Sequence, residues 1–110
     1  MTSERSLSGR TQVFAVIGDP VAHSLSPLIH NAWMQAAGLD AVYVALRLSG
    51  RDPRALIAGL RASGVAGANV TLPHKRAALE AASRCAPEAE AIGAANTLIG
   101  VEGGWSAHNT

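Results

Sequence analysis

The hydrophobic positions change period several times along the chain, and each change marks an element boundary. Val13 to Ile17 is an unbroken apolar run stopped by Gly18-Asp19-Pro20, the pattern of a strand covered on both faces. Ser26-Pro27 then offers an N-cap with proline at the first helical position. Leu28, Ile29, Ala32, Trp33 and Ala36 fall on one face of the helix that follows, so Trp33 reads as core, and Gly38 ends it. Val42, Val44, Leu46 and Leu48 alternate as a second strand requires, although Tyr43 and Ala45 make the other face partly apolar. Asp52-Pro53 repeats the cap-plus-proline signal, with Leu56, Ile57 and Leu60 as the buried stripe and Gly64 as the stop. Val65 to Val70 predicts a third strand. Pro73 opens a third helix carrying Ala77, Ala78 and Leu79, and Pro87 starts a short fourth that stops at Gly93.

After Gly93 the alternation of strand and helix ceases. Ala95 to Val101 and Trp105 to Thr110 are strand-like runs joined by Glu102-Gly103-Gly104, a hairpin signal. With Gly103-Gly104 as the two turn residues, Glu102 faces Trp105, Val101 faces Ser106 and Thr97 faces Thr110. Asn96 then faces the position after Thr110. The whole pattern predicts one α/β domain: an open, mostly parallel twisted sheet with helices on both faces and a C-terminal β-hairpin.

Composition narrows the function classes. With 110 residues, 48% of them hydrophobic and 15% charged, the chain can bury one core. Nine basic and eight acidic residues are scattered, so there is no stripe to track a phosphate backbone and nucleic acid is not an expected partner. No apolar run is long enough to cross a bilayer, and one cysteine, Cys85, excludes an internal disulfide. A reducing, cytoplasmic setting is expected. Met1 to Thr11 is polar, lacks the apolar middle of a secretory signal, and reads as a frayed tail before a domain at 12–110.

In open α/β sheets ligands bind beyond the carboxyl ends of the parallel strands. Three segments meet there: Gly18 to Ser26, Asn69 to Lys75, and Asn96-Thr97. Ser24 and Ser26 precede a helix, where hydroxyls and the helix dipole suit a carboxylate. Taken alone, Ser26 is better explained as the cap of the helix opened by Pro27, whereas Ser24 has no evident structural task. Lys75 is the only lysine beside eight arginines, and an ammonium can exchange a proton where a guanidinium cannot; a lone surface lysine accounts for it as readily. His23, His30, His74 and His108 show no metal-ligand spacing with one another or with Cys85, which reads as a small hydrophobe at a helix end. No Gly-x-Gly-x-x-Gly loop is present, so no nucleotide site is expected within these residues.

Three stretches, Ile17-Gly18-Asp19-Pro20-Val21-Ala22-His23-Ser24-Leu25-Ser26-Pro27, Gly67-Ala68-Asn69-Val70-Thr71-Leu72-Pro73-His74-Lys75 and Ile92-Gly93-Ala94-Ala95-Asn96-Thr97, resemble the shikimate dehydrogenase family in order and spacing. The resemblance runs from Val13 to Thr110. It implies a two-domain cytoplasmic oxidoreductase of aromatic amino acid biosynthesis that reduces 3-dehydroshikimate to shikimate with NADPH. The substrate is held by the first domain, and NADP by a Rossmann domain that follows. By that likeness Ser24 and Ser26 bind the substrate carboxylate, Thr71 and Asn96 contact the substrate, and Lys75 is catalytic beside the aspartate of an Asn-Thr-Asp-Gly motif. This chain stops at Asn109-Thr110; lacking that aspartate and a phosphate-binding glycine loop, it is expected to be inactive alone and to hold no NADP, and its histidine spacings predict no metal. A quinate/shikimate dehydrogenase paralogue, a non-catalytic module binding a shikimate-like acid, and a silent α/β domain are the competing readings. The motifs leave oligomeric state open.

Overall fold

The computed structural model describes residues 6–110. Six strands form one sheet in the order β2-β1-β3-β5-β6-β4: β1 Gln12–Gly18, β2 Ala41–Arg47, β3 Val65–Val70, β4 Arg84–Cys85, β5 Thr97–Val101 and β6 Gly104–His108. β1 pairs in parallel with β2 and β3, β5 runs antiparallel to β3 and β6, and β4 is parallel to β6. Five strands therefore point one way and only β5 is reversed, as the mostly parallel expectation requires. Four helices link them: α1 Ser26–Ala36, α2 Pro53–Ala62, α3 Lys75–Ala81 and α4 Pro87–Ile92.

The crossover β1-α1-β2 moves to one side and β2-α2-β3 returns to the other, so right-handed connections put α1 and α2 on opposite faces. Under α2 and α3 lies the core, built from Ala15, Ile17, Ala68, Val70, Leu98, Trp105 and Ala107 against Ile57, Ala77 and Ala78. Asp52 caps α2 by accepting the Ala55 N–H at 3.1 Å, a bond of the kind worth about 1 kcal/mol. Arg61 closes the far end of the sheet: it donates to the carbonyls of Gly104, Val65 and Val101 at 3.0, 3.2 and 3.1 Å, and its guanidinium lies over the Trp105 ring. The roughly 520 Å³ cavity around it is thus built on a cation already committed to structure.

Five expectations are corrected. First, α1 turns its apolar stripe outward: Leu28 is 72% and Trp33 64% exposed, so Trp33 is not core. The half-buried side instead carries Pro27, His30, Asn31 and Met34. Asn31 exchanges hydrogen bonds with the Tyr43 backbone at 2.7 and 2.9 Å, and His30 stacks on the Tyr43 ring at 4.2 Å. Polar edge pairing and ring stacking decide which way this helix faces, and periodicity does not register them. Second, Ser26 is not the N-cap. Leu25 occupies that position with no side-chain bond, and the Ser26 N–H donates to Ser24 Oγ at 3.2 Å, which gives Ser24 a structural task.

Third, Pro73 does not open α3, which begins two residues later at Lys75. The intervening residues form a tight turn closed by the His74 N–H on the Thr71 carbonyl at 3.1 Å. Fourth, the hairpin turn is Glu102-Gly103, so Val101 faces Gly104 and Thr97 faces His108, two positions from the expected register. Of the two turn residues only Gly103 has positive φ, at 82°, a conformation that glycine adopts without steric cost. Gly104 is glycine for another reason, since a Cβ there would sit 2.9 Å from Ser83 Oγ. Fifth, Cys85 lies not at a helix end but in β4, a strand of two residues. Of the expected tail, residues 1–5 lie outside the described residues, whereas Ser8–Thr11 is a turn anchored by Thr11 Oγ1 on Asp40 at 2.7 Å.

Candidate functional site

Because five strands share a direction, the carboxyl ends of β1, β3 and β6 and the start of β5 all reach one edge. The backbone ties the loops there together. The Thr71 N–H bonds the Ile17 carbonyl at 2.9 Å, the Asp19 N–H bonds Leu72 at 2.9 Å, and the Val70 N–H bonds Asn96 at 2.8 Å. Gly18 is fixed by this closeness, because a Cβ on it would lie 2.3 Å from Thr71 Cγ2 and 3.0 Å from the Leu72 carbonyl.

A cavity of about 410 Å³ opens at this edge, lined by Ser24, Ser26, Thr71, Asn69 and His23 over a floor that includes Val16 and Val21. Three of the five residues expected at the site thus share one depression. Lys75 and Asn96 are outside its lining. Lys75 is the first residue of α3 and half-buried, and its carbonyl accepts the Ala95 N–H at 2.9 Å, which joins it to the segment carrying Asn96. The Asn96 side chain is engaged with the chain end, donating to the Thr110 carbonyl at 3.0 Å and accepting the Thr110 N–H at 3.1 Å. Asn96 therefore meets Thr110 itself rather than a later position.

Two further residues organise the cavity. Tyr43, the only tyrosine, is 3% exposed and reaches across β1 to donate its hydroxyl to Asn69 Oδ1 at 2.6 Å. Burial pushes its pKa from 10.0 to about 12, against a smaller downward pull from the Ser26 hydroxyl. Tyr43 and Asn69 thus form a hydrogen-bonded pair behind the cavity. With Oδ1 held by the phenol, the Asn69 amide has its N–H₂ end free for an acceptor. His74 is the second. It is buried, and its Nε2 bonds the Leu48 carbonyl at 2.6 Å, tying the residue before Lys75 to the end of β2. Neither role is legible in spacing, since the bonded partners lie 26 residues apart in both cases. A lone tyrosine among aliphatics in β2 was the available signal.

Tyr43→Phe should cost about 1 kcal/mol of stability, one hydrogen bond lost in a buried place. It also separates a pH effect. A tyrosine whose folded pKa exceeds its unfolded value contributes no loss below about pH 10 and progressive loss as pH climbs towards about 12. Chemical denaturation between pH 7 and 12 should show that decline in the wild type, and a shallower one in the phenylalanine variant. Parallel curves would mean that Tyr43 is not titrating from a buried state.

The sequence profile of the shikimate dehydrogenase substrate binding domain matches residues 16–98. A shikimate dehydrogenase (NADP(+)) of Synechococcus sp. (strain JA-3-3Ab) is 48% identical over 108 residues, covering 97% of this chain and 37% of that protein. One of Geobacter sp. (strain M21) is 50% identical over 105 residues, covering 96% and 36%. The chain therefore spans little more than a third of the curated relatives it matches. Among solved structures, a shikimate 5-dehydrogenase from Listeria monocytogenes, in complex with shikimate and NAD, superposes with a TM-score of 0.87 at 34% identity, over 97% of this chain and 37% of that one. The ligand-free 5-ketofructose reductase of Gluconobacter sp. strain CHM43 superposes with a TM-score of 0.86 at 30% identity, over 94% and 37%.

Proposed function

Because the chain belongs to the shikimate dehydrogenase substrate-binding domain family, we propose that it is the part of an NADP-dependent shikimate dehydrogenase that holds shikimate and 3-dehydroshikimate. The observation that carries this reading is the gathering of Ser24, Ser26, Asn69 and Thr71 around one cavity at the sheet edge. Hydroxyls and an amide are the groups that recognise a small polyhydroxylated acid, because an analogue lacking a hydroxyl leaves one of them unpaired.

In this reading Ser24 and Ser26 receive the carboxylate, Thr71 and Asn96 bond the ring hydroxyls, and Lys75 faces the ring oxygen that changes oxidation state. Reducing that carbonyl builds negative charge on its oxygen. The Lys75 ammonium stabilises the charge and donates the proton, a task closed to the eight arginines. The described residues do not suit NADP: the turn after β1 has no Gly-x-Gly pair, Pro20 offers no N–H, and the space above Gly18 is filled by Thr71. Cofactor binding belongs to a separate domain, as it does in the two-domain family pattern.

Binding and catalysis should accordingly separate. In a two-dimensional NMR titration, shikimate should shift the amides of Ser24, Ser26, Asn69 and Thr71 with weak, saturable affinity, while NADPH should shift none. Quinate in the same titration ranks the two acids. No NADPH oxidation should occur with 3-dehydroshikimate. Silence of those four amides towards shikimate would sink the substrate assignment, and turnover by the chain alone would sink the division of labour.

A further inference from the structure

The cavity holding Ser24, Ser26, Asn69 and Thr71 contains a single ionisable side chain, His23, and its other lining residues are neutral. A carboxylate entering it gives up water for hydroxyls and an amide, and neutral partners return less than the desolvation of an anion costs. A positive partner makes a charge-assisted bond that is roughly twice as strong.

The two fixed sources of positive charge near this edge fall short. The amino end of α1 is largely spent: the Ser26 N–H is taken by Ser24 Oγ, Pro27 has no N–H, and the Ile29 N–H is on the Leu25 carbonyl at 3.1 Å. Lys75 does not line this cavity. It stands at the start of α3, beside the segment of Asn96.

We propose that His23 is the specificity-determining residue that makes this cavity select a carboxylate over a neutral group of the same shape. The inference rests on the reading that the cavity receives the carboxylate end of shikimate. His23 lies exposed at the cavity mouth beside Ser24, so its imidazole can meet the anion without being buried first. In this arrangement two side chains divide the work: His23 serves the acid end of the ligand and Lys75 the end that reacts. The histidine, weighed above only as a metal ligand, acquires a reason to stand at this position.

The test uses the purified chain with two probes, shikimate and its methyl ester, titrated by NMR against wild type, His23→Ala and His23→Gln. Because His23 is exposed, both variants should keep the wild-type spectrum away from the loop. His23→Ala should weaken shikimate about fivefold and leave the ester unchanged, and His23→Gln, which keeps a neutral donor, should fall between. Equal loss for both ligands, or no loss for the acid, overturns the role of His23 while leaving the substrate reading intact. Failure of the wild type to bind either probe overturns the substrate reading, and this inference with it.

Discussion

Trp105→Ala should cost the domain about 3–5 kcal/mol, a large part of the 5–15 kcal/mol that holds a domain of this size together. Trp105 is 1% exposed on β6 and is the largest fully buried side chain. Its Nε1 donates to the Ile57 carbonyl in α2 at 2.9 Å, and Ile57 is itself fully buried. The indole also floors the Arg61 guanidinium, 5.8 Å from the ring centre, whose three carbonyl contacts hold β3, β5 and β6 together at one end of the sheet. Removing the ring therefore leaves a cavity and loosens a cation at the same time. Thermal unfolding followed by circular dichroism should show a midpoint lower by about 15 °C or more. A loss under about 1 kcal/mol would mean that the neighbours collapse into the space, and that the α2–β6 contact is not the centre of the core.

Much of this architecture is written locally. β3 coincides with the predicted strand Val65–Val70, α2 begins after the Asp52 cap, and α4 ends where Gly93 takes a positive φ of 78°. In each case a side chain or a backbone conformation within a few residues sets the boundary. The illegible features are set by distant partners. The outward face of α1 looks like a core stripe, and only the docking of His30 and Asn31 on Tyr43 of β2 reverses it. In the hairpin, a Gly-Gly pair suggests its own turn. The second glycine is instead demanded by Ser83, twenty-one residues earlier in the chain, and the register moves by two. β4 is too short to show any period at all.

The site divides in the same manner. Ser24, Ser26 and Thr71 follow from the rule that ligands gather at the carboxyl ends of parallel strands, because strand direction alone carries their loops to one edge. The rule also brings Asn69 to this edge, but it does not pair Asn69 with Tyr43. They face each other only because β2 and β3 flank β1, with Tyr43 beside Phe14 and Asn69 beside Val16. The polar network that orients the cavity is therefore a product of sheet order, which is why sequence proximity to a motif identified the serines and missed the tyrosine behind them.

Gly18→Ala tests whether that edge is as tightly built as its distances imply. The new methyl would meet Thr71 Cγ2 at 2.3 Å and the Leu72 carbonyl at 3.0 Å, and the same carbonyl holds the Asp19 N–H at 2.9 Å. Thr71 is β-branched and stiff about χ1, so it can escape only by rotating its hydroxyl out of position or by carrying the loop away from β1. Overpacking of this kind costs about 1–3 kcal/mol. On the function proposed for the cavity that Thr71 lines, shikimate affinity should fall along with stability. The rescue is specific: Thr71→Ser keeps the hydroxyl and deletes the colliding methyl. A double-mutant cycle of Gly18→Ala and Thr71→Ser should therefore show coupling of about 1 kcal/mol or more, with the double variant more stable than Gly18→Ala alone. Additive losses would instead place the strain at the Leu72 carbonyl, and would mean that the loop, rather than the threonine, dictates glycine at this position.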